Sequence, residues 1–238
     1  MESVVYQCIN SILLRLYPPT CLLCSAPADT PLDICKGCMG DLPFNRHSCA
    51  YCSLPLDCAP SGPMLCGKCQ RKRPEFDRCV SPFIYRYPLS DMIGRLKFNN
   101  GLVYGRLLGE LLADQIASSN TTLPERLIPV PLHVDRLRAR GFNQASILAR
   151  SLSNKFRIPI DSRSCQRRTA TRAQSALKQD ERRRNIRGAF LVSRRPTCRH
   201  VAIIDDVVTT GATANELARV LKQSGVERVD VWSCARTE

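Results

Sequence analysis

Apolar and polar positions change their rhythm twice along the chain. Val4, Val5, Cys8, Ile9, Ile12, Leu13 and Leu16 recur at helical spacing and predict an amphipathic N-terminal helix. Its apolar face would pack on the protein, the alternative being a membrane surface or a partner. From there to about residue 75, cysteine and proline are dense and neither period persists, as happens where a metal takes the place of a hydrophobic core. Beyond residue 75 short apolar runs alternate with helical patterns. Strands are predicted over 83–87, 126–131, 189–192, 200–204 and 228–234, and helices over 89–98, 102–116, 142–156 and 213–224, the last stopped by Gly225. Residues 175–187 suit a helix or a mobile segment. Strands alternating with helices predict an α/β fold, a mostly parallel sheet with flanking helices, behind a small N-terminal module. The change of composition divides the chain into 1–78 and 79–238.

Cysteine usage refines the smaller part. Ten of the 14 cysteines fall between Cys21 and Cys79. A disulfide scaffold would suit a small secreted chain. The apolar stretch 4–17, however, lacks a basic leader and a small-residue cleavage site, carries Arg15, and is too short to span a bilayer. A reducing, cytoplasmic compartment is therefore expected, with the cysteines as metal ligands. Four C-x-x-C pairs stand in a row: Cys21/Cys24, Cys35/Cys38, Cys49/Cys52 and Cys66/Cys69. Each pair forms a knuckle whose sulfurs converge on one ion, and two knuckles complete a tetrahedral shell of four thiolates. The first two pairs would make one zinc site and the last two a second, with interleaved pairing as the alternative. Cys58, Cys79 and His47 lie at spacings that do not make a knuckle. Iron–sulfur ligation and redox pairs are the competing chemistries, but no ferredoxin spacing is present and redox motifs rarely come as four consecutive pairs. Closed four-thiolate sites hold a fold or a partner and leave no position open for catalysis.

The formal charge of +14 points to phosphates, nucleic acid or anionic lipid, or to a merely solvated surface. The segment from Val201 to Thr213, VAIIDDVVTTGAT, narrows that choice. An apolar strand leads into Asp205 and Asp206, and a turn of small residues opens a helix. Backbone N–H groups at a helix N-terminus favour a phosphate dianion. Gly211 and Ala212 allow close approach of the backbone, and Thr209, Thr210 and Thr213 add hydroxyl donors. The two carboxylates suit vicinal ribose hydroxyls, directly or through Mg2+. An ordinary strand–turn–helix is the bland alternative.

This segment resembles the signature of type I phosphoribosyltransferases that binds phosphoribosyl diphosphate (PRPP). The resemblance implies that Asp205 and Asp206 hold the ribose hydroxyls and that Thr209 to Thr213 cradle the 5-phosphate. It also implies a diphosphate loop after an earlier strand, matched by Val130-Pro131-Leu132-His133 with Arg136, Arg138 and Arg140 following. A second block, PVPLHVDRLRARGFNQA from Pro129 to Ala145, looks like the hallmark of the ComF competence family. Thr171, Gln174, Leu177, Arg182 and Asn185 before Gly188-Ala189-Phe190, and Leu96-Lys97-Phe98, continue that resemblance over nearly the whole chain. It implies a double zinc ribbon joined to a phosphoribosyltransferase-like domain, and an association with DNA uptake in natural transformation.

Lys97, Arg136, Arg138, Arg140 and Arg182 are the candidate contacts to diphosphate or nucleic acid. In an extended segment Arg136, Arg138 and Arg140 would alternate, so that only one or two face a ligand. Arginine dominates from Arg163 to Arg199 with few aromatics interleaved, which suits a backbone groove for single strands better than a base-stacking platform. Cys165, Cys198 and His200 read as packing or surface residues. The expected function is binding of PRPP and Mg2+ together with handling or import of single-stranded DNA. The alternatives are an active transferase on an unidentified base or amine, and an adaptor docking on DNA-uptake machinery.

Overall fold

The computed structural model describes residues 19–28, 32–57, 62–98, 101–119, 121–168 and 186–238. The predicted N-terminal helix, Cys58, and the motif residues Thr171, Gln174, Leu177, Arg182 and Asn185 lie outside them. Two compact units are present, Met1–Leu42 and Pro43–Glu238. The boundary at 78/79 marks a change of composition, whereas packing divides the chain at 42/43 and places the second cysteine group in the unit that holds the sheet.

The two cysteine groups are built alike. In each, the N–H of the serine after the second cysteine returns to the carbonyl of the first: Ser25 to Cys21 and Ser53 to Cys49, both at 2.9 Å. Both serines take a left-handed backbone (φ 62° and 51°), which tightens the turn so that the two sulfurs face one point. An antiparallel bridge closes each turn, Thr20 with Pro27 and Ser48 with Pro55. The second pair of each group opens a single helical turn, α1 (Lys36–Gly40) and α2 (Gly67–Arg71).

In the larger unit, β1 (Arg78–Val80) and β2 (Phe83–Ile84) lie along one edge of β7 (Arg228–Arg236). β6 (His200–Val208) flanks β7 on its other side, and β3 (Arg126–Pro129) follows β6. The order β1–β7–β6–β3 is parallel throughout, as the strand–helix alternation predicts. Helices α3 (Leu89–Phe98) and α4 (Leu102–Ala117) lie between β2 and β3 in the chain, and α6 (Gln144–Phe156) between β3 and β6. α4 and α6 pack on one face, where Phe156 meets Trp232 at 6.1 Å between ring centroids. α7 (Ala212–Gln223) covers the other face, its Leu217 and Leu221 against Val201, Ile203, Val229 and Val231. Alternation along β6 and β7 supplies both faces. A small antiparallel ribbon of β4 (Cys165–Arg167) and β5 (Phe190–Val192) packs beside α7.

Three expectations change. The strand carrying the acid pair runs on to Val208, so Asp205 and Asp206 lie within β6 and not beyond its end. The segment with alternating arginines is helical, α5 (Val134–Arg140), capped by the His133 ring and ended by Gly141 at φ 77°, a left-handed conformation that glycine adopts without strain. The strand predicted over 83–87 stops at Ile84, where a turn into the cis Tyr87–Pro88 bond begins.

Candidate functional site

The carboxyl ends of β3 and β6 open into a cleft of about 670 Å3. In open parallel sheets this edge is where ligands bind, because strand ends and helix N-termini converge there. Asp205 and Asp206 form its floor, and Thr209, Gly211, Ala212 and Thr213 one wall. Thr210 and Arg138 do not line the cleft, Arg182 lies outside the described residues, and Lys97, Arg136 and Arg140 do line it. Helix geometry explains the split among the arginines: Arg136 and Arg140 are four residues apart on one face of α5, and Arg138 is turned away.

The acid pair is asymmetric. Asp205 Oδ1 accepts the Asp206 N–H at 2.9 Å. Burial, then repulsion from Asp206, pushes the Asp205 carboxyl up to about 8. Asp206 Oδ2 instead holds Lys97 Nζ at 2.8 Å. Burial alone would lower the Lys97 ammonium, but its attraction to Asp206 carries it above its ordinary value. Burial lowers Arg140 and Arg167, and repulsion from Arg136 lowers both further, so the cations crowd one another. Crowded guanidiniums are relieved by a polyanion.

The loop is open toward anions. Gly211 takes a left-handed φ of 76° as the N-cap of α7 and brings no side chain to the cap, while Thr210 Oγ1 accepts the Ala212 N–H at 3.3 Å. The opposite wall is held by Asn143, whose Oδ1 caps α6 through the Ala145 N–H at 3.0 Å while its Nδ2 donates to the Val130 carbonyl at 3.0 Å. That pair of bonds fixes the loop after β3 to the helix behind it. Next to Asn143, Gln144 is 3 % exposed, and its Nε2 has no partner among the described residues. Tyr85 and Arg167 line the cleft without having been singled out from sequence, and Gln144, which also lines it, belongs to the Pro129–Ala145 block. The signal available for Tyr85 was an aromatic residue just beyond a strand end.

The eight predicted cysteine ligands gather as two groups, Cys21/Cys24/Cys35/Cys38 and Cys49/Cys52/Cys66/Cys69, with all sulfurs of a group within 4.8 Å of one another. Consecutive pairing, not interleaving, is the arrangement present. Cys24 and Cys35 Sγ lie 3.7 Å apart, as do Cys52 and Cys66. A tetrahedral zinc with Zn–S bonds of about 2.3 Å sets sulfurs about 3.8 Å apart, so both groups fit the ion. No described cysteine is in a disulfide. Cys79, Cys165 and Cys198 belong to neither metal group and are buried in the core of the larger unit, where they pack. His200 pairs with the buried Asp230 at 3.1 Å, a structural contact.

Two four-cysteine groups and a parallel α/β sheet with an acid-floored, cation-walled cleft define a double-zinc-ribbon protein with an α/β domain. Residues 12–70 match the double zinc ribbon domain. Over 225 residues the chain is 36 % identical to DNA utilization protein YhgH of Escherichia coli (strain K12), covering 92 % of this chain and 98 % of that protein. It is 36 % identical to competence protein F of Haemophilus influenzae, covering 85 % and 90 %. Competence protein ComFC of Streptococcus pneumoniae is 25 % identical, over 65 % and 66 %. The chain belongs to the ComF/YhgH family. Among solved structures it is similar to hypoxanthine phosphoribosyltransferase from Trypanosoma cruzi in complex with IMP, at 16 % identity and a TM-score of 0.34, over 57 % of this chain and 74 % of that one. A likeness of that size carries no functional argument. Among the described residues no helix is long and apolar enough to cross a membrane.

Proposed function

We propose that the cleft binds PRPP with Mg2+ and that the protein assists the handling or import of single-stranded DNA. The observation that carries the first half is convergence. An acid pair near the end of a central strand, a helix N-terminus behind Gly211, and Lys97, Arg136 and Arg140 share one cleft. Asp205 and Asp206 would take the ribose hydroxyls, residues 209–213 the 5-phosphate, and Arg136 and Arg140 the diphosphate. Mg2+ favours one or two carboxylates completed by phosphate oxygens and water, so it would arrive on the diphosphate and meet the acid pair. Calorimetric titration of the zinc-loaded protein with PRPP and Mg2+ tests this. Binding should vanish in an Asp205→Ala/Asp206→Ala double variant, and a wild-type protein that binds nothing would sink the reading.

The DNA half is supported by the formal charge of +14 and by the DNA-utilization and competence relatives. Its test is the salt dependence of single-strand binding, where a steep fall of affinity with salt is expected. Transferase turnover is a second reading. Arg136, which repels both Arg140 and Arg167, forms with them a cluster that suits a leaving polyanion, and release of pyrophosphate on addition of candidate bases or amines would establish it.

A further inference from the structure

Arg236, the last residue of β7, is 4 % exposed, and its guanidinium reaches in two directions. Nε donates to the carbonyl of Cys52, in the second metal group, at 3.1 Å. The NH1 group donates to the carbonyls of Val208 at 3.0 Å and of Thr209, the first residues of the loop that follows the acid pair. Thr237 N–H adds a bond to the Val208 carbonyl at 3.1 Å. Among the described residues no carboxylate pairs with this buried cation, and carbonyl dipoles with the Thr237 hydroxyl compensate it. A single side chain thus bonds a cysteine of the metal group to the loop.

Peptide geometry turns those bonds into an orientation. In a planar trans peptide the N–H points opposite to the C=O of the preceding residue. With the carbonyls of Val208 and Thr209 drawn to Arg236, the N–H groups of Thr209 and Thr210 are directed away from it. Neither N–H donates to a protein acceptor among the described residues. The guanidinium also leaves a positive charge behind the loop, favourable to an anion in front of it. The far end of the link is held in turn by the metal group. Ser53 Oγ donates to the Cys79 carbonyl at 2.7 Å, and Cys79 N–H to the Tyr51 carbonyl at 2.7 Å, so the Cys49–Cys52 knuckle is fastened to β1 beside β7.

Resting on the reading of residues 209–213 as a phosphate loop, we propose that Arg236 is a positioning residue that makes the order of this loop depend on the second zinc ion. The second ribbon then tunes the sugar-phosphate site from behind, touching no ligand itself. Loss of that ion frees Cys52, Arg236 loses one of its anchors, and the carbonyls of Val208 and Thr209 lose their fixed direction. Linkage is reciprocal: an anion that orders the loop should also retain the ion.

Hydrogen–deuterium exchange on the full-length protein without ligand tests the link, using wild type, Arg236→Lys, Cys69→Ser and Cys38→Ser. Native mass spectrometry counts zinc in each. Arg236→Lys keeps the charge and both ions but cannot span both anchors, and the Ala212 and Asn215 amides, bonded in wild type to the Thr210 hydroxyl and the Gly211 carbonyl, should exchange about tenfold faster while those at 201–204 do not change. Cys69→Ser should retain one ion and show the same loosening, and Cys38→Ser, which disturbs the other group, should leave the loop as in wild type. Wild-type protection of the Ala212 and Asn215 amides in Arg236→Lys would overturn the proposal. So would loop and strand loosening in step in both Arg236→Lys and Cys69→Ser, because a shared loss of structure needs no link through the guanidinium. Since no ligand is present, failure of wild-type protein to bind PRPP counts against the sugar-phosphate reading alone.

Discussion

Lys97 Nζ stands 2.8 Å from Asp206 Oδ2 on the floor of the cleft, with both side chains largely buried. The ammonium therefore neutralises the acid pair before any ligand arrives, and it also holds Asp205 below the value that burial and Asp206 alone would set. Lys97→Met should raise the midpoint of the buried acid above its present value of about 8. A rise on the order of one unit corresponds to a lost attraction of about 1.4 kcal/mol. Carboxylate titration followed by NMR measures it.

The same carboxyl makes folding stability depend on pH. Asp205 is raised in the folded chain, so between its unfolded value near 4 and about 8 the folded state holds a proton that the unfolded state has released. Stability then falls as pH rises through that window and levels off above it. Asp205→Asn removes the penalty and keeps an oxygen to accept the Asp206 N–H. The variant should match wild type near pH 4 and be the more stable of the two at pH 8. Urea melts at the two pH values check the sign.

The acid pair and the cysteine ligands are legible in the sequence because their residues are contiguous or regularly spaced. VAIIDDVVTTGAT needs no tertiary information to suggest a strand, an acid pair and an anion loop, and regular C-x-x-C spacing needs none to suggest knuckles. Arg136, Arg138 and Arg140 are harder. Val134–Arg140 has no apolar stripe, so alternation suggests an extended segment. The better signals are local: good helix formers, and a glycine at the stop. Tyr85, Arg167 and Arg236 reach the loop or the cleft only through pairings distant in sequence. For Arg236 the one hint is a cation in an otherwise buried strand, VDVWSCAR.

Asp230 illustrates a charge whose role is purely structural. It is fully buried in β7 and accepts from Arg228 Nε at 3.1 Å, from an Arg228 terminal nitrogen at 3.0 Å, and sits 3.1 Å from His200 Nε2. Asp230→Ala leaves these partners facing a void and should cost about 3 kcal/mol of stability. The buried Trp232, the only tryptophan, reports the transition by fluorescence.

Helices α4 and α6 touch through glycine. A Cβ at Gly109 would come within 2.5 Å of Ser151 Oγ and 2.7 Å of its Cβ, both on a buried side chain. Gly109→Ala should push the helices apart at a cost of about 1–3 kcal/mol, despite alanine's better helix propensity. Gly109→Ala/Ser151→Gly should recover much of the loss in the same denaturation assay.

The docking of residues 43–77 against β1 and β7 bears on how this architecture can be taken apart. A chain trimmed to begin at Arg78 would strip Cys79 N–H of the Tyr51 carbonyl, Arg236 Nε of the Cys52 carbonyl and the Glu75 N–H–Asn215 bond of its donor. It would also lay bare the outer edge of the sheet. The two ribbons, alike in their turns, are thus unequal as modules. The first belongs to the unit that ends at Leu42, and the second is masonry of the sheet and has to travel with it.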